Sequence, residues 1–551
     1  MLSMDQAQIL ARDEYTVSPV PSLPQIPAEE ICLHCKNKSD IIDAQAETIQ
    51  ELKTEIQQLR DEIAILKGEK PKPVLKPSKM DKNTDLGDNP PHSNGSGVIS
   101  KRPGSAKRSK TAQLIIHEIR IIEPAGPIPP GARLKTYQDF VVQGLIIKAH
   151  NICYRLACYQ TNDGKCLRGQ LPPELQGQHF NPTLRSYILY QHHHCHVTQP
   201  LLLEQLSEWH IDISSGQINA LLSQHTEAFH TEKDEILAIG LQKSQYVTVD
   251  DTGARHAGQN GYALHVGNEG FGWFQSTDSK SRINFLQCLH AGPVTTLVNE
   301  HALTYMEEHG LSNDIRSQLQ NHATPEFLSI ELWRKHLEAL KIDSETHVRI
   351  ATEGALLGSL VEKGFNLKLA IVSDGAGQFA VLLHALCWIH AERLVHKLIP
   401  VNEGQRQAVA QVRSDIWRLY GDLKAYKRNP NANMVEQFEK RFDSVFNRKT
   451  GYQTLDKLLK RLYGKKEELL LVLQRPEIPL HTNGSETALR DFVKKRKVSG
   501  GTRSDLGRQC RDTFASLKKT CRKQGISFWR YLEDRITQTN AIPRLATLIR
   551  A

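Results

Sequence analysis

The sequence predicts an α/β protein in which a mixed sheet carries large helical insertions and is preceded by a coiled coil and a helical region. Three observations carry that expectation. Tyr246 to Asp250, Tyr262 to Val266 and Phe271 to Ser276 are short β-type segments separated by glycine-containing turns, the pattern of an antiparallel meander. Leu367 to Ser373 is an almost unbroken apolar run that ends in Asp374, as a strand buried on both faces does. Isoleucines 42, 49, 56 and 63 recur every seven residues, with Leu52, Leu59 and Leu66 three positions after the last three of them. That places isoleucine at a and leucine at d of a parallel two-stranded coiled coil, with Gln45 the polar d position.

Taken in order, residues 1–30 read as a loose tail and 31–67 as the coiled coil, which predicts a homodimer paired through residues 42–66. Residues 68–112 are rich in Pro, Lys, Ser, Asn and Gly and include Lys101, Arg102, Lys107, Arg108 and Lys110, the composition of a flexible basic linker. Globular patterning resumes with the alternating stretch Leu114 to Ile122 and continues through a Cys- and His-containing region to residue 235. Within it, Pro200 to Glu208 reads as one helix, and Ser214 with Gln217 forms a capping box that opens a second. Two helices joined by a short turn fit a helix-turn-helix that reads DNA, and equally an ordinary helical hairpin. The catalytic-core candidate spans 236–402 and resumes at 481–540, with a helical insertion over 403–480. Within the core a helix is expected from near Ser281, Ala385 to Ile389 is expected to form a fifth short strand, and Cys387, Trp388 and His390 are expected to belong to the packed strand behind Asp374.

Composition narrows the function. No stretch approaches the roughly 18 uninterrupted apolar residues of a membrane span, and the first residues lack a basic segment leading into an apolar run. A cytoplasmic, nucleoid-associated chain with no membrane contact is expected. Lys and Arg number 70 against 61 acids, a net charge of +9. The excess gathers late, in Lys494, Lys495, Arg496, Lys497, Arg503, Arg508, Arg511, Lys518, Lys519, Arg522 and Lys523, which suits a phosphate backbone or a solvated helix face. The chain has no Gly-x-x-x-x-Gly-Lys-Ser/Thr loop to cradle a triphosphate, which weighs against an ATP-driven enzyme.

Three strands, a helix, a fourth strand ending in a carboxylate, a fifth strand and a late helix is the element order of a ribonuclease H-like fold. In that fold Asp250, Asp374 and Glu486 meet at one edge of the sheet. Carboxylates are the ligands that hard divalent cations prefer, and a pair of Mg²⁺ or Mn²⁺ ions suits phosphodiester exchange. Singly, each acid has a plainer reading: Asp374-Gly375 as a turn, Asp250-Asp251-Thr252 as a loop cap, and Asn483-Gly484-Ser485-Glu486 as a capping box. Together they favour a site, because Glu486, Arg490, Lys494 and Lys497 line one helical face, setting a metal-binding carboxylate beside phosphate-binding cations. Asn483 is expected to cap that helix.

Val249-Asp250-Asp251-Thr252-Gly253, Ser373-Asp374-Gly375, Cys387-Trp388-Ile389-His390-Ala391-Glu392-Arg393 and Asn483-Gly484-Ser485-Glu486 resemble, in order, the motif blocks of transposases of the insertion sequence 66 family, in the DDE superfamily. Gly525-Ile526-Ser527-Phe528-Trp529-Arg530-Tyr531-Leu532 is similar to the family's C-terminal region, and the likeness covers roughly residues 150–540. The resemblance implies Asp250, Asp374 and Glu486 as first, second and third catalytic and metal-binding acids. It implies a transposase that cleaves and transfers strands at the terminal inverted repeats of a bacterial insertion sequence and into target DNA. Arg490, Lys494, Lys497, His390 and Arg393 are the DNA-contacting candidates. A nuclease or resolvase without joining activity and an inactive DNA-binding repressor are the alternatives. Where the family carries a cysteine-rich zinc segment, this chain offers Cys153, Cys158, Cys166 and Cys195 as candidate structural Zn²⁺ ligands, with His179, His192, His193, His194 and His196, but no paired Cys-x-x-Cys knuckles; buried thiols and surface histidines are the plainer reading, and Cys32 and Cys35 form a lone pair beside His34.

Overall fold

A computed structural model of the protein describes residues 114–172, 175, 179–321 and 325–550. The tail, the coiled coil, Cys32, Cys35 and the basic linker lie outside the described residues. The chain divides into two compact units, 1–142 and 143–551.

In the first unit, residues 114–142 contain no helix or strand. The alternation from Leu114 to Ile122 therefore does not mark the start of a packed layer: Ile115 is 80% exposed and Ile119 83%. Alternating apolar residues form a strand only where a partner strand takes their backbone bonds and a core takes one face, and among the described residues neither is present.

The second unit opens with an exposed hairpin, β1 (Cys158–Gln160) and β2 (Cys166–Arg168). Four helices follow: α1 (Pro182–His193), α2 (Gln199–Glu208), α3 (Ser215–Ser223) and α4 (Glu227–Lys243). The capping box expected at Ser214 is formed, with the Ser214 hydroxyl accepting from Gln217 N and the Gln217 side chain accepting from Ser214 N. The inner sides of α1, α2 and α3, through Ile188, Leu202, Leu206 and Ile218, join the same core as Phe514 and Tyr531.

The meander is β3 (Tyr246–Gly253), β4 (Tyr262–Gly267) and β5 (Gly272–Thr277), followed by α5 (Arg282–Leu289), capped by Ser281. An insert then carries β6 (Thr296–Leu297), α6 (Glu300–Glu308), α7 (Asn313–Gln320), β7 (Glu326–Phe327), α8 (Ile330–Ala339) and α9 (Glu345–Glu362). It has a core of its own around Met306, Trp333 and Leu337. The chain returns as β8 (Ala370–Ser373) and β9 (His384–Leu386). The five-stranded sheet runs β5-β4-β3-β8-β9, antiparallel on the meander side and parallel from β3 to β9.

One expectation fails here. Residues 385–389 are not all strand: β9 ends at Leu386, and Trp388 opens helix α10 (Trp388–His396). The reason is periodicity. Trp388, Ala391, Glu392 and Val395 are buried at spacings of three and four, the signature of one helical stripe, and a strand cannot present them to one side.

The helical insertion expected over 403–480 is α11 (Glu403–Arg428), α12 (Val435–Phe446), α13 (Gln453–Tyr463) and α14 (Lys466–Leu470). Trp388 anchors it: the indole Nε1 donates to Leu469 O at 2.8 Å, and the ring lies 6.2 Å from Phe442 and from Phe446.

Three helices close the chain: α15 (Asn483–Ser499), α16 (Asp505–Lys523) and α17 (Phe528–Ile536). Edge strand β5 leaves backbone groups that need partners, and α16 supplies them. Asp512, Ser516 and Thr520, four apart and so on one helical face, accept from Ser276 N at 2.6 Å, Phe274 N at 2.9 Å and Gly272 N at 3.2 Å. Leu545, Ala546 and Ile549, beyond the last expected element, are buried in the main core.

Candidate active site

The parallel register pairs Tyr246 with Ala370, Val247 with Ile371 and Thr248 with Val372. Carried two residues further on each strand, the same register sets Asp250 beside Asp374 with both side chains on one face, because strand side chains alternate. β8 stops at Ser373 while β3 runs on to Gly253, so the two acids sit where the parallel strands part. The carboxyl ends of neighbouring parallel strands are where open α/β sheets form their crevices.

Asp374 opens a turn. Its Oδ1 accepts from Ala376 N at 3.0 Å, and the Ser373 hydroxyl accepts from Gly375 N at 3.1 Å. Gly375 has φ +95°, and a Cβ there would come 3.1 Å from Leu386 Cδ2, so glycine permits the turn. Ser373 is fixed in turn by His384 Nε2, 2.8 Å from its hydroxyl.

Alternation also separates Asp250 from Asp251. Asp251 turns the other way, where Lys280 Nζ lies 2.6 Å from Oδ1 and Gln378 Nε2 donates to Oδ2 at 2.8 Å. Burial pulls the Lys280 ammonium down, but the hydrogen bond and charge of Asp251 outweigh it and hold Lys280 above its ordinary value. Asp251 is thus neutralised locally. Asp250 has no such cation. Burial, with the charges of Asp374, Asp251 and Glu486 adding to it, lifts its carboxyl to about 7 against the opposing hydrogen bond from Asp251 N.

Glu486 reaches this group from α15. Contrary to expectation, Asn483 is the first residue of that helix and Thr482 the residue before it, with no side-chain cap bond. A buried polar chain positions the helix start instead. The Ser485 hydroxyl donates to Thr248 Oγ1 at 2.7 Å, Thr248 donates to Gly267 O at 3.0 Å, and His265 Nδ1 lies 3.0 Å from Ser485 Oγ. His265 pairs across the ladder with Asp250, and burial, with Lys523 and Lys519, keeps its ring neutral. The far end of α15 is tied by Arg496, which donates to Gly253 O, and by the Thr502 N to Arg255 O bond at 3.1 Å. Phe492 stacks on Phe274 in between, 5.6 Å apart. Thr248, His265 and Ser485 were not singled out from the sequence. Ser485 lies inside a block that reads as a cap, and nothing local marks a partner 237 residues away.

The Glu486 carboxylate is held by bases. Arg393 Nη1 donates to Oε1 at 3.2 Å, His390 Nε2 lies 3.6 Å from the same oxygen, and Arg490 is 3.8 Å from Oε2. Burial holds the His390 ring below its ordinary value despite the nearby glutamate. Three of the expected DNA-contacting residues, His390, Arg393 and Arg490, therefore face Glu486, while Lys494 lies 3.6 Å from Asp491 and Lys497 is exposed.

The donor set fits divalent cations. Asp250 Oδ2 and Asp374 Oδ2 accept no protein hydrogen bond among the described residues, and the crowding that lifts Asp250 is what a bound cation relieves. Among the described residues, though, no three His, Cys, Asp or Glu side chains are already gathered closely enough to hold an ion. That applies equally to the zinc candidates: Cys158 and Cys166 lie on opposite strands of the exposed hairpin, and Cys153 and Cys195 are exposed. No helix among the described residues is long and apolar enough to cross a membrane.

Removing the Ser485 hydroxyl would leave the buried His265 Nδ1 without a partner and take one donor from Thr248, which keeps its bond to Gly267 O; a stranded buried group costs about 1–3 kcal/mol. Ser485→Ala is expected to lower the unfolding free energy by about that much in denaturant melts, and Ser485→Thr to recover most of it.

Comparison with known proteins places these elements. Residues 368–510, which include Asp374 and Glu486, match the family model described as Transposase IS66 family. A protein of Sinorhizobium fredii (strain NBRC 101917 / NGR234), y4jO, described as uncharacterized, is 44% identical over 319 residues, covering 57% of this chain and 99% of that protein.

Proposed function

Because this chain belongs to the IS66 family of transposases, we propose that it cuts and rejoins DNA strands at the site formed by Asp250, Asp374 and Glu486. The observation that carries the reading is the parallel register that brings Asp250 on β3 beside Asp374 just past the end of β8, with Glu486 of α15 near enough for its charge to act on the buried Asp250 carboxyl. Two divalent ions, Mg²⁺ or Mn²⁺, held by the three carboxylates would supply Lewis-acid polarisation of the phosphate and a lowered pKa for the attacking hydroxyl.

The reaction has two in-line displacements. Water attacks a phosphodiester at the transposon end, the P–O3′ bond breaks, and a free 3′-hydroxyl leaves with a proton. That hydroxyl then attacks a target phosphodiester, forming one P–O bond as another breaks, so no nucleotide is consumed. The chain's residues prepare the site for both. Lys280 and Gln378 hold Asp251 away from Asp250, leaving Asp250 Oδ2 open. The Ser485 chain fixes the start of the Glu486 helix against the sheet. Arg393, donating to Glu486 Oε1 at 3.2 Å, sets a cation beside the third acid where it can also meet a phosphate.

DNA is the partner this reading requires. Lys494 and Lys497 contact backbone phosphates on the outer face of α15, and α3 presents exposed Ser215, Gln217 and Asn219 as a second, helix-turn-helix contact with the terminal repeats. Residues 42–66 pair two protomers so that one complex holds two ends. Deleting them is expected to reduce capture of paired ends more than binding of a single end, read by gel shift with one-end and two-end DNAs.

Purified protein incubated with Mg²⁺, labelled end DNA and a target duplex is expected to give joined products. Hydrolysed ends without joined product would mean a nuclease and would overturn the reading.

A further inference from the structure

We propose that the cavity enclosed by α1, α15 and α16 is an oxyanion site that takes a phosphate group other than the one undergoing reaction. This goes beyond the strand-joining reading and does not depend on it. The cavity lies on the opposite side of α15 from Glu486: Lys495 is nine residues on, about half a turn round a helix of 3.6 residues per turn. Lys495, Lys518, Lys519, Arg511, His193 and His196 line it over a floor of Phe274 and Phe492, around a small void of about 30 Å³ that opens to solvent.

The one carboxylate lining the cavity, Asp491, is already shared by three cations: Lys494 is 3.6 Å away, and Lys519 and Arg522 are each 3.9 Å away. Arg511 is turned to Asp512 and to the Ser276 hydroxyl. Among the described residues, Lys495 and Lys518 reach no carboxylate within 4.0 Å; their ammonium groups rest on His192 O at 2.9 Å and His193 O at 3.4 Å. Lys495 is only 9% exposed and Lys519 8%. Buried ammonium groups without counter-charge are costly. Burial and neighbouring cations accordingly push Lys495 down to about 8, and burial foremost lowers Lys518 and Lys519. The ring atoms His193 Nε2 and His196 Nδ1 are buried with no hydrogen-bond partner. Cations and ring nitrogens converging from three helices suit a group with several acceptor oxygens rather than a single point charge. The occupant is a phosphate, either free or part of a bound DNA backbone.

The test uses the full-length protein in metal-free buffer, with inorganic phosphate as probe against chloride at matched ionic strength. Phosphate at millimolar concentration is expected to raise the thermal midpoint, and Lys495→Met or Lys518→Gln to abolish that rise. Lys440→Gln, which removes an exposed charge on α12 outside the cavity lining, is expected to leave it intact. If the natural occupant is a DNA backbone phosphate, the two cavity variants also lose about tenfold in affinity for end DNA and inorganic phosphate competes with that DNA. If it is free phosphate, their DNA affinity matches that of Lys440→Gln. The proposal is overturned if phosphate and chloride give the same midpoint and both cavity variants bind DNA as the parent does, or if the phosphate effect survives in Lys495→Met and Lys518→Gln alike.

Discussion

Asp250→Asn, Asp374→Asn and Glu486→Gln are each expected to cut strand joining by on the order of 10³-fold or more, because residues acting as one unit lose nearly the whole rate when any member is removed. Binding of end DNA should survive in all three, since phosphate contacts lie on other residues. Asp250→Asn carries a second, opposite effect. Its carboxyl is lifted to about 7, above its unfolded value of about 3.9, so the folded state holds the proton more tightly than the unfolded state. Stability then falls as pH rises through that window. In metal-free buffer at pH 8 the asparagine variant should melt on the order of a few degrees higher than the parent, with the difference fading as pH drops towards 4. Calorimetry against pH reads this directly. A variant that is inactive yet more stable points to a site whose charges are assembled for a cation.

Glu232→Ala is expected to show the largest loss of stability. Glu232 is 1% exposed on α4 and gathers four partners: Arg535 Nε at 2.9 Å and Nη2 at 3.1 Å, the Tyr531 hydroxyl at 2.9 Å and Leu545 N at 2.9 Å. It fastens α17 and the final turn to the helix that leads into β3. Removing one partner of a buried pair strands the other charge, at about 3–5 kcal/mol. Although burial raises the Glu232 carboxyl, the Arg535 and Leu545 bonds more than compensate, and it titrates below its ordinary value. Its contribution is therefore complete above the unfolded value of about 4.3 and is lost as pH falls through the lower folded one. Denaturant melts of parent and variant should converge in acid, and a constant gap down to pH 3 would contradict the assignment.

Strands announce themselves where burial alternates or is continuous, so β3, β4, β5 and β8 start and stop within a few residues of their expected bounds; pattern sets Asp250 and Asp374 at strand ends, and only the element order of a ribonuclease H-like fold brings them together. Trp388 was misread because an apolar run of five does not distinguish a strand from the first turn of a buried helix; only Val395, a full two turns on, resolves it. The Thr248, Ser485 and His265 chain was not legible, since each residue is unremarkable locally and gains its role only when α15 meets the sheet. The basic run from Lys494 to Lys523 misled in another way. Charge predicts exposure on average, but Lys495, Arg511 and Lys519 are buried at helix contacts, a property of packing that composition does not carry.

Direct titration with Mn²⁺, followed by calorimetry, asks whether acids from β3, β8 and α15 act as one centre. The account predicts saturable binding to the parent protein that weakens below pH 7 and is lost in each of Asp250→Asn, Asp374→Asn and Glu486→Gln. Binding of Mn²⁺ to the Glu486→Gln variant with the parent's affinity and stoichiometry would contradict it.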